Sequence, residues 1–77
     1  MEFIKFGGLD FMGSFITPIV AHDAKGYVPL VVIAFPGDDV HGTGALGCFG
    51  SRERAYRCAI EYGKTEVLKH FHFTPES

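Results

Sequence analysis

The sequence predicts an α+β domain: a three-stranded antiparallel sheet, four-stranded if the opening residues add an edge, followed by one packed C-terminal helix. Three observations carry this expectation. Residues 15–35 hold two runs of β-branched and aromatic residues separated by the turn-forming Asp23-Ala24-Lys25-Gly26. Residues 51–69 repeat their apolar positions at helical spacing behind a serine. The chain has 77 residues, room for a single domain over 1–77, yet 47% of them are hydrophobic and eight are Phe and three Tyr. Each buried aromatic removes about 150–250 Å² from water, so a core forms without a metal or a disulfide.

Taken in order, Glu2-Phe3-Ile4-Lys5-Phe6 reads as a short edge strand that Gly7-Gly8 ends. Residues 1–12 are expected either to extend the sheet in this way or to cover it, and residues 11–14 are ambiguous. The core is expected over about residues 13–69. The first main strand is residues 15–22. Pro18 cannot donate to a ladder, which places this strand at a sheet edge or beside a bulge. Residues 27–35 form the second strand, and the two make a hairpin. Pro36-Gly37-Asp38-Asp39 stops it, and a glycine-rich stretch runs to Gly50, with a third strand best placed at residues 45–49.

Ser51 then caps a helix, with Glu53 in the first turn, where the helix dipole favours a carboxylate. Ala55, Tyr56, Ala59, Ile60, Tyr62, Gly63 and Val67 fall on one side of a helical wheel, and Glu53, Arg54, Arg57, Glu61 and Lys64 on the other. Glu53–Arg57 and Arg57–Glu61 are spaced as opposite-charge pairs. Ala55, Ala59 and Gly63 form a small-residue row that lets the helix axis lie close to a sheet. The helix ends at Gly63 or runs on to Lys69, and residues 70–77 read as an extended or frayed tail.

The second strand is apolar on both faces. Val28, Leu30, Val32 and Ala34 alternate with Val31, Ile33 and Phe35. Such a strand needs cover on both sides, and one helix covers only one. The second cover is the N-terminal segment, a second protomer or a partner. Val28, Leu30, Val31, Val32, Ile33 and Phe35 are therefore the candidate interaction surface.

Other signatures carry less. The net charge of −2 gives no basic excess for phosphate, so nucleic acid is not an expected partner. Gly42-Thr43-Gly44-Ala45-Leu46-Gly47 spells the dinucleotide fingerprint, but the next helix opens only at Ser51 and no further βα units remain to build the crevice. A weaker form survives: free N–H groups near Ser51, with Arg52, Arg54 and Arg57, form a candidate anion contact. His22, Asp23, Asp38, Asp39 and His41 lie near strand ends, and His70-Phe71-His72 would present two imidazoles on one side if extended. None of these spacings matches a zinc pattern, and no metal or other cofactor is expected. Cys48 and Cys58, ten positions apart, read as two small buried hydrophobes. Neither they nor Ser14 or Ser51 has a partner base at a recognisable spacing. Glu2 and Asp10 stand where a signal peptide would be basic, and no apolar run reaches the ~20 residues of a membrane span, so a cytoplasmic location is expected.

Gly13-Ser14-Phe15-Ile16-Thr17-Pro18 resembles the opening strand of a group of small bacterial proteins. Phe49-Gly50-Ser51, followed by Ala55, Ala59, Gly63-Lys64 and Val67, is similar to their closing helix. The resemblance implies a three-stranded antiparallel sheet with one helix and carries over no catalytic residue. In this chain Ser14 stands between the Gly and the aromatic, and the glycine-rich stretch is longer. Gly26-Tyr27 and Phe35-Pro36-Gly37 resemble, more loosely, the β-β-β-α core of HicB-type antitoxins, without the Gly-Asp-Thr that precedes their helix.

The functional expectation is thus a small bacterial interaction module, non-catalytic, acting as a homodimer or through a protein partner. The alternative is a small nucleic-acid or anion-binding module on Arg52, Arg54 and Arg57. A small metal-dependent or thiol enzyme comes third.

Overall fold

Alternation of apolar residues in the central hairpin sets the architecture. A computed structural model describes residues 2–37 and 39–72. The elements are β1 (Glu2–Lys5), β2 (Leu9–Phe11), β3 (Ser14–Asp23), β4 (Gly26–Phe35), β5 (Asp39–Gly42) and α1 (Arg52–His72). All five strands join one antiparallel sheet in the order β1-β3-β4-β5, with β2 following β1 along the same edge of β3. The helix packs on β3 and β4. The α+β architecture with a C-terminal helix is thus the observed one, with strands added at both edges of the expected hairpin.

The hairpin β3–β4 closes on Asp23, whose Oδ1 accepts the Lys25 and Gly26 N–H groups at 2.8 and 3.3 Å. Gly26 is obligatory there: φ is +142°, and a Cβ would sit 2.6 Å from the Phe49 carbonyl oxygen. The β2–β3 turn uses Met12 and Gly13, both at positive φ, 54° and 82°. Two left-handed residues in succession match the twist of a two-residue hairpin.

Pro18 and Pro29 explain why the outer strands are broken. The Pro18 carbonyl accepts the Phe6 N–H at 3.1 Å, so its missing donor faces the β1–β2 edge. There, Gly7 and Gly8 together stand opposite Thr17, a bulge that removes the need for the donor. Of the two placements open to Pro18, the one beside a bulge is therefore realised, on a strand paired on both sides. Pro29 repeats the device: its carbonyl accepts the Leu46 N–H at 3.0 Å, and its missing donor faces the irregular chain after β5.

That irregular chain corrects the expected third strand. Residues 45–49 do not form one; β5 lies earlier, over Asp39–Gly42. The stretch still follows β4 through single bonds. The Thr43 N–H donates to the Val31 carbonyl, the Thr43 hydroxyl accepts the Val31 N–H at 3.1 Å, and Phe49 exchanges two backbone bonds with Tyr27. Glycines 44 and 47 supply slack where a regular ladder would meet Pro29.

Ser51 caps α1 by accepting the Arg54 N–H at 3.2 Å. Ala55, Ala59, Gly63 and Val67 form a buried row against the sheet. A Cβ on Gly63 would meet Ile16 Cγ2 at 2.8 Å, which marks the closest approach of helix and sheet. The helix continues past Gly63 to His72, correcting the extended or frayed reading of residues 70–72; residues 73–77 lie outside the described residues. Val67 accounts for the extension, since it adds another turn to the core of Ile16, Val31, Ile33, Phe35 and Ala59. Tyr62, placed on the buried side by the wheel, is exposed, and Lys64, placed in solvent, lies over the Phe11 ring at 5.5 Å. Neither Glu53–Arg57 nor Arg57–Glu61 closes into an ion contact; the helix instead pairs Lys69 with Glu66 at 3.4 Å.

Two predictions follow from this packing. Overpacking costs about 1–3 kcal/mol, which outweighs the ~1 kcal/mol of helix propensity that Gly63→Ala gains. The variant is therefore expected to unfold at lower urea, and a raised midpoint would show that helix and sheet are not in tight contact. Ser14 is fully buried, and its hydroxyl has no hydrogen-bond partner among the described residues. Because an unpartnered buried hydroxyl is unfavourable, Ser14→Ala is expected to raise unfolding stability by about 1 kcal/mol.

Candidate interaction surface

Strand register sorts every sheet residue onto one of two faces. Ile16, Pro18 and Val20 pair with Ile33, Val31 and Pro29, and all six are buried on the helix side. Phe15, Thr17, Ile19 and Ala21 pair with Ala34, Val32, Leu30 and Val28 on the other side. β1 adds Phe3 and Lys5 to that second face, β2 adds Asp10, and β5 adds Val40.

Nothing among the described residues covers this face. Residues 2–11 lie in the plane of the sheet as edge strands and do not fold over it. Phe3, Phe15 and Val40 are 65, 44 and 61% exposed, and Met12, in the turn beyond β2, is 52% exposed. The half-buried Val28, Leu30 and Val32 are shielded only by their neighbours within the sheet. Gly8 matters here: a side chain at this position would run into the Phe15 ring and come within 2.9 Å of the Ile16 carbonyl oxygen. Its absence leaves that space to the Phe15 ring.

Of the six residues expected at the surface, Val28, Leu30 and Val32 lie on the open face. Val31, Ile33 and Phe35 do not; they are 0, 2 and 8% exposed and pack under α1. The physical reason is the pairing of Ile16 with Ile33, which aims that half of β4 at the helix. Phe15, Ile19, Phe3 and Val40 complete the open face. The first two follow from alternation in β3, whereas Phe3 and Val40 depend on the register of the edge strands.

The candidate anion contact is exposed. Arg54 and Arg57 border a shallow hollow with Phe49, Cys58 and Glu61, and Arg52 and Arg57 border another that also holds Glu53 and Glu61. Carboxylates are thus interleaved with the guanidinium groups, and the N–H of Arg54 is already held by Ser51.

A groove of about 700 Å³ separates β5 from the C-terminal half of α1. The Phe35 ring is its floor, with His70 stacked on it at 4.2 Å and His41 edge-on at 5.3 Å. His41 Nε2 lies 3.1 Å from Asp39 Oδ2. His22 is elsewhere, stacked on Tyr27 at 4.2 Å. Asp38 and the His72 side chain lie outside the described residues. Among the described residues no three His, Cys, Asp or Glu side chains come together as metal ligands. Cys48 is exposed, its thiol 3.6 Å from the Lys25 carbonyl, and Cys58 is half-buried; both are free. This corrects the buried reading of Cys48, which the irregular path after β5 carries to the surface.

The geometry therefore defines an antiparallel sheet with one face under a helix and the other apolar and unpartnered. Comparison with protein-family models, curated proteins and solved structures finds no match, so the functional reading rests on this geometry. No helix among the described residues is long and apolar enough to cross a membrane.

Proposed function

We propose that this protein is a non-catalytic interaction module that self-associates through the open face of its sheet. The observation that carries the reading is the uncovered row Phe15, Ile19, Leu30 and Val32, flanked by the exposed Phe3 and Val40. From strand spacing and rise the face spans on the order of 500 Å². A contiguous apolar patch of about this size on a small protein is often a working surface. Two such faces bury about 1,000 Å², the lower bound for a specific interface. Two apolar sheets packing about 10 Å apart is also the ordinary way in which uncovered faces are satisfied.

The edges offer a poorer surface. Gly7-Gly8 interrupts the β1–β2 edge, and the opposite edge loses its regular ladder after Gly42. Broken edges resist strand addition, which leaves the face as the place of association.

A second reading, an anion or nucleic-acid module, is favoured by Arg52, Arg54 and Arg57 standing exposed without an ion-pair partner among the described residues. Retention on immobilised nucleic acid that fades with added salt supports it, and no retention at low salt ends it.

Self-association binds only folded chains, so the melting temperature of the wild type is expected to climb by a few degrees per tenfold rise in concentration. Val32→Glu places a charge mid-face. It is expected to fold with the same circular dichroism, while its melting temperature stays flat with concentration. A wild type whose melting temperature is also flat contradicts the reading.

A further inference from the structure

The charges on the open face are arranged to complement a second copy of the same face. Apart from Asp23, whose carboxylate is engaged by turn amides, Lys5 and Asp10 are the only charged residues at open-face strand positions among the described residues. Both lie on the β1–β2 edge. Lys5 stands beside Ile19 and Asp10 beside Phe15, so they flank Thr17 at equal distance, about 13 Å apart by strand rise.

We propose that two copies pack face to face about a two-fold axis that crosses β3 at Thr17, lying between the sheets and perpendicular to their strands. The proposal rests on the self-association reading and specifies its arrangement. Such an axis reverses position along the strands and keeps each edge over the same edge of the other copy. Lys5 of each copy then meets Asp10 of the other, giving two equivalent ion pairs at the rim. The same operation sets Phe15 over Ile19, the bulky Leu30 over the small Ala34, and the exposed Phe3 over the Met12 turn. The crossing of about 30° that twisted sheets adopt moves positions this near the axis by only a few ångströms, within reach of the lysine stem.

The other face-to-face arrangement has its axis parallel to the strands and lays the β1–β2 edge over the β5 edge. Asp10 would then sit on Val40, and Lys5 on the glycine-rich chain after β5. Each charge would lose water without gaining a partner, which disfavours that arrangement. A closed symmetric pair has one self-complementary patch, and the Lys5–Asp10 spacing meets that condition.

The test is sedimentation velocity on Lys5→Asp and Asp10→Lys, alone and mixed in equal amounts, with circular dichroism as a check on folding. Both residues are exposed, so folding is expected to be retained. Alone, each variant sets like charges against each other twice per dimer, and its Kd is expected to rise about tenfold or more over wild type. Mixed, each chain supplies the sign that the other lacks, and a heterodimer is expected within about threefold of the wild-type Kd. Variants that dimerise like wild type, or a mixture no tighter than its components, overturn the arrangement and leave the self-association reading standing. A wild type that forms no dimer overturns both.

Discussion

Alternation along β4 sends Val31, Ile33 and Phe35 toward α1 and Val28, Leu30, Val32 and Ala34 away from it, and one helix covers only the first set. The rest of the structure depends on that division. The small row Ala55, Ala59 and Gly63 brings the helix within van der Waals contact of Ile16 and Val31, which closes a thin but continuous core. The other face keeps its apolar residues with none of the described residues above them, because the N-terminal strands widen the sheet instead of folding over it. Widening adds Phe3 and Val40 to the uncovered side, so each edge strand enlarges the exposed apolar surface.

The prolines decide how far that widening can go. Each of the two long strands carries one proline whose absent donor points outward, Pro18 toward β1–β2 and Pro29 toward the chain after β5. Outer strands can pair fully only where those donors are not needed, and the chain supplies glycines at both places. Both edges are left bulged and unsuited to further strand addition. Among the described residues the sheet has five strands, and the face, not either edge, is where its apolar side chains stand uncovered.

Much of this was legible in the sequence, and the exceptions have local causes. The central hairpin is carried by β-branched runs and a turn, and α1 by its cap and small-residue row, signals that depend on near neighbours. β5 lies ahead of the expected residues 45–49 because Asp39-Val40-His41-Gly42 is exposed throughout and has no periodicity of its own; only its ladder to β4 makes it a strand. β2 has three residues and turns through Met12-Gly13, where Asn-Gly is the usual signal. The helix reaches His72 because Val67 and the stacking of His70 on Phe35 hold its last turns, which are tertiary contacts. At the surface, alternation separated Val28, Leu30 and Val32 from Val31, Ile33 and Phe35. Which set meets the helix depends on the Ile16–Ile33 pairing, a long-range choice. The Lys5–Asp10 symmetry was invisible for the same reason, since it exists only once both residues are aligned on β3.

The central claim is that the open face is buried against a second copy of the chain. Light scattering on the wild-type protein, read over a range from micromolar to millimolar, tests it most directly. The account predicts a molar mass that climbs from near 8.5 kDa toward twice that value and stops there, as a closed symmetric pair requires. A mass fixed at 8.5 kDa across the whole range would contradict it.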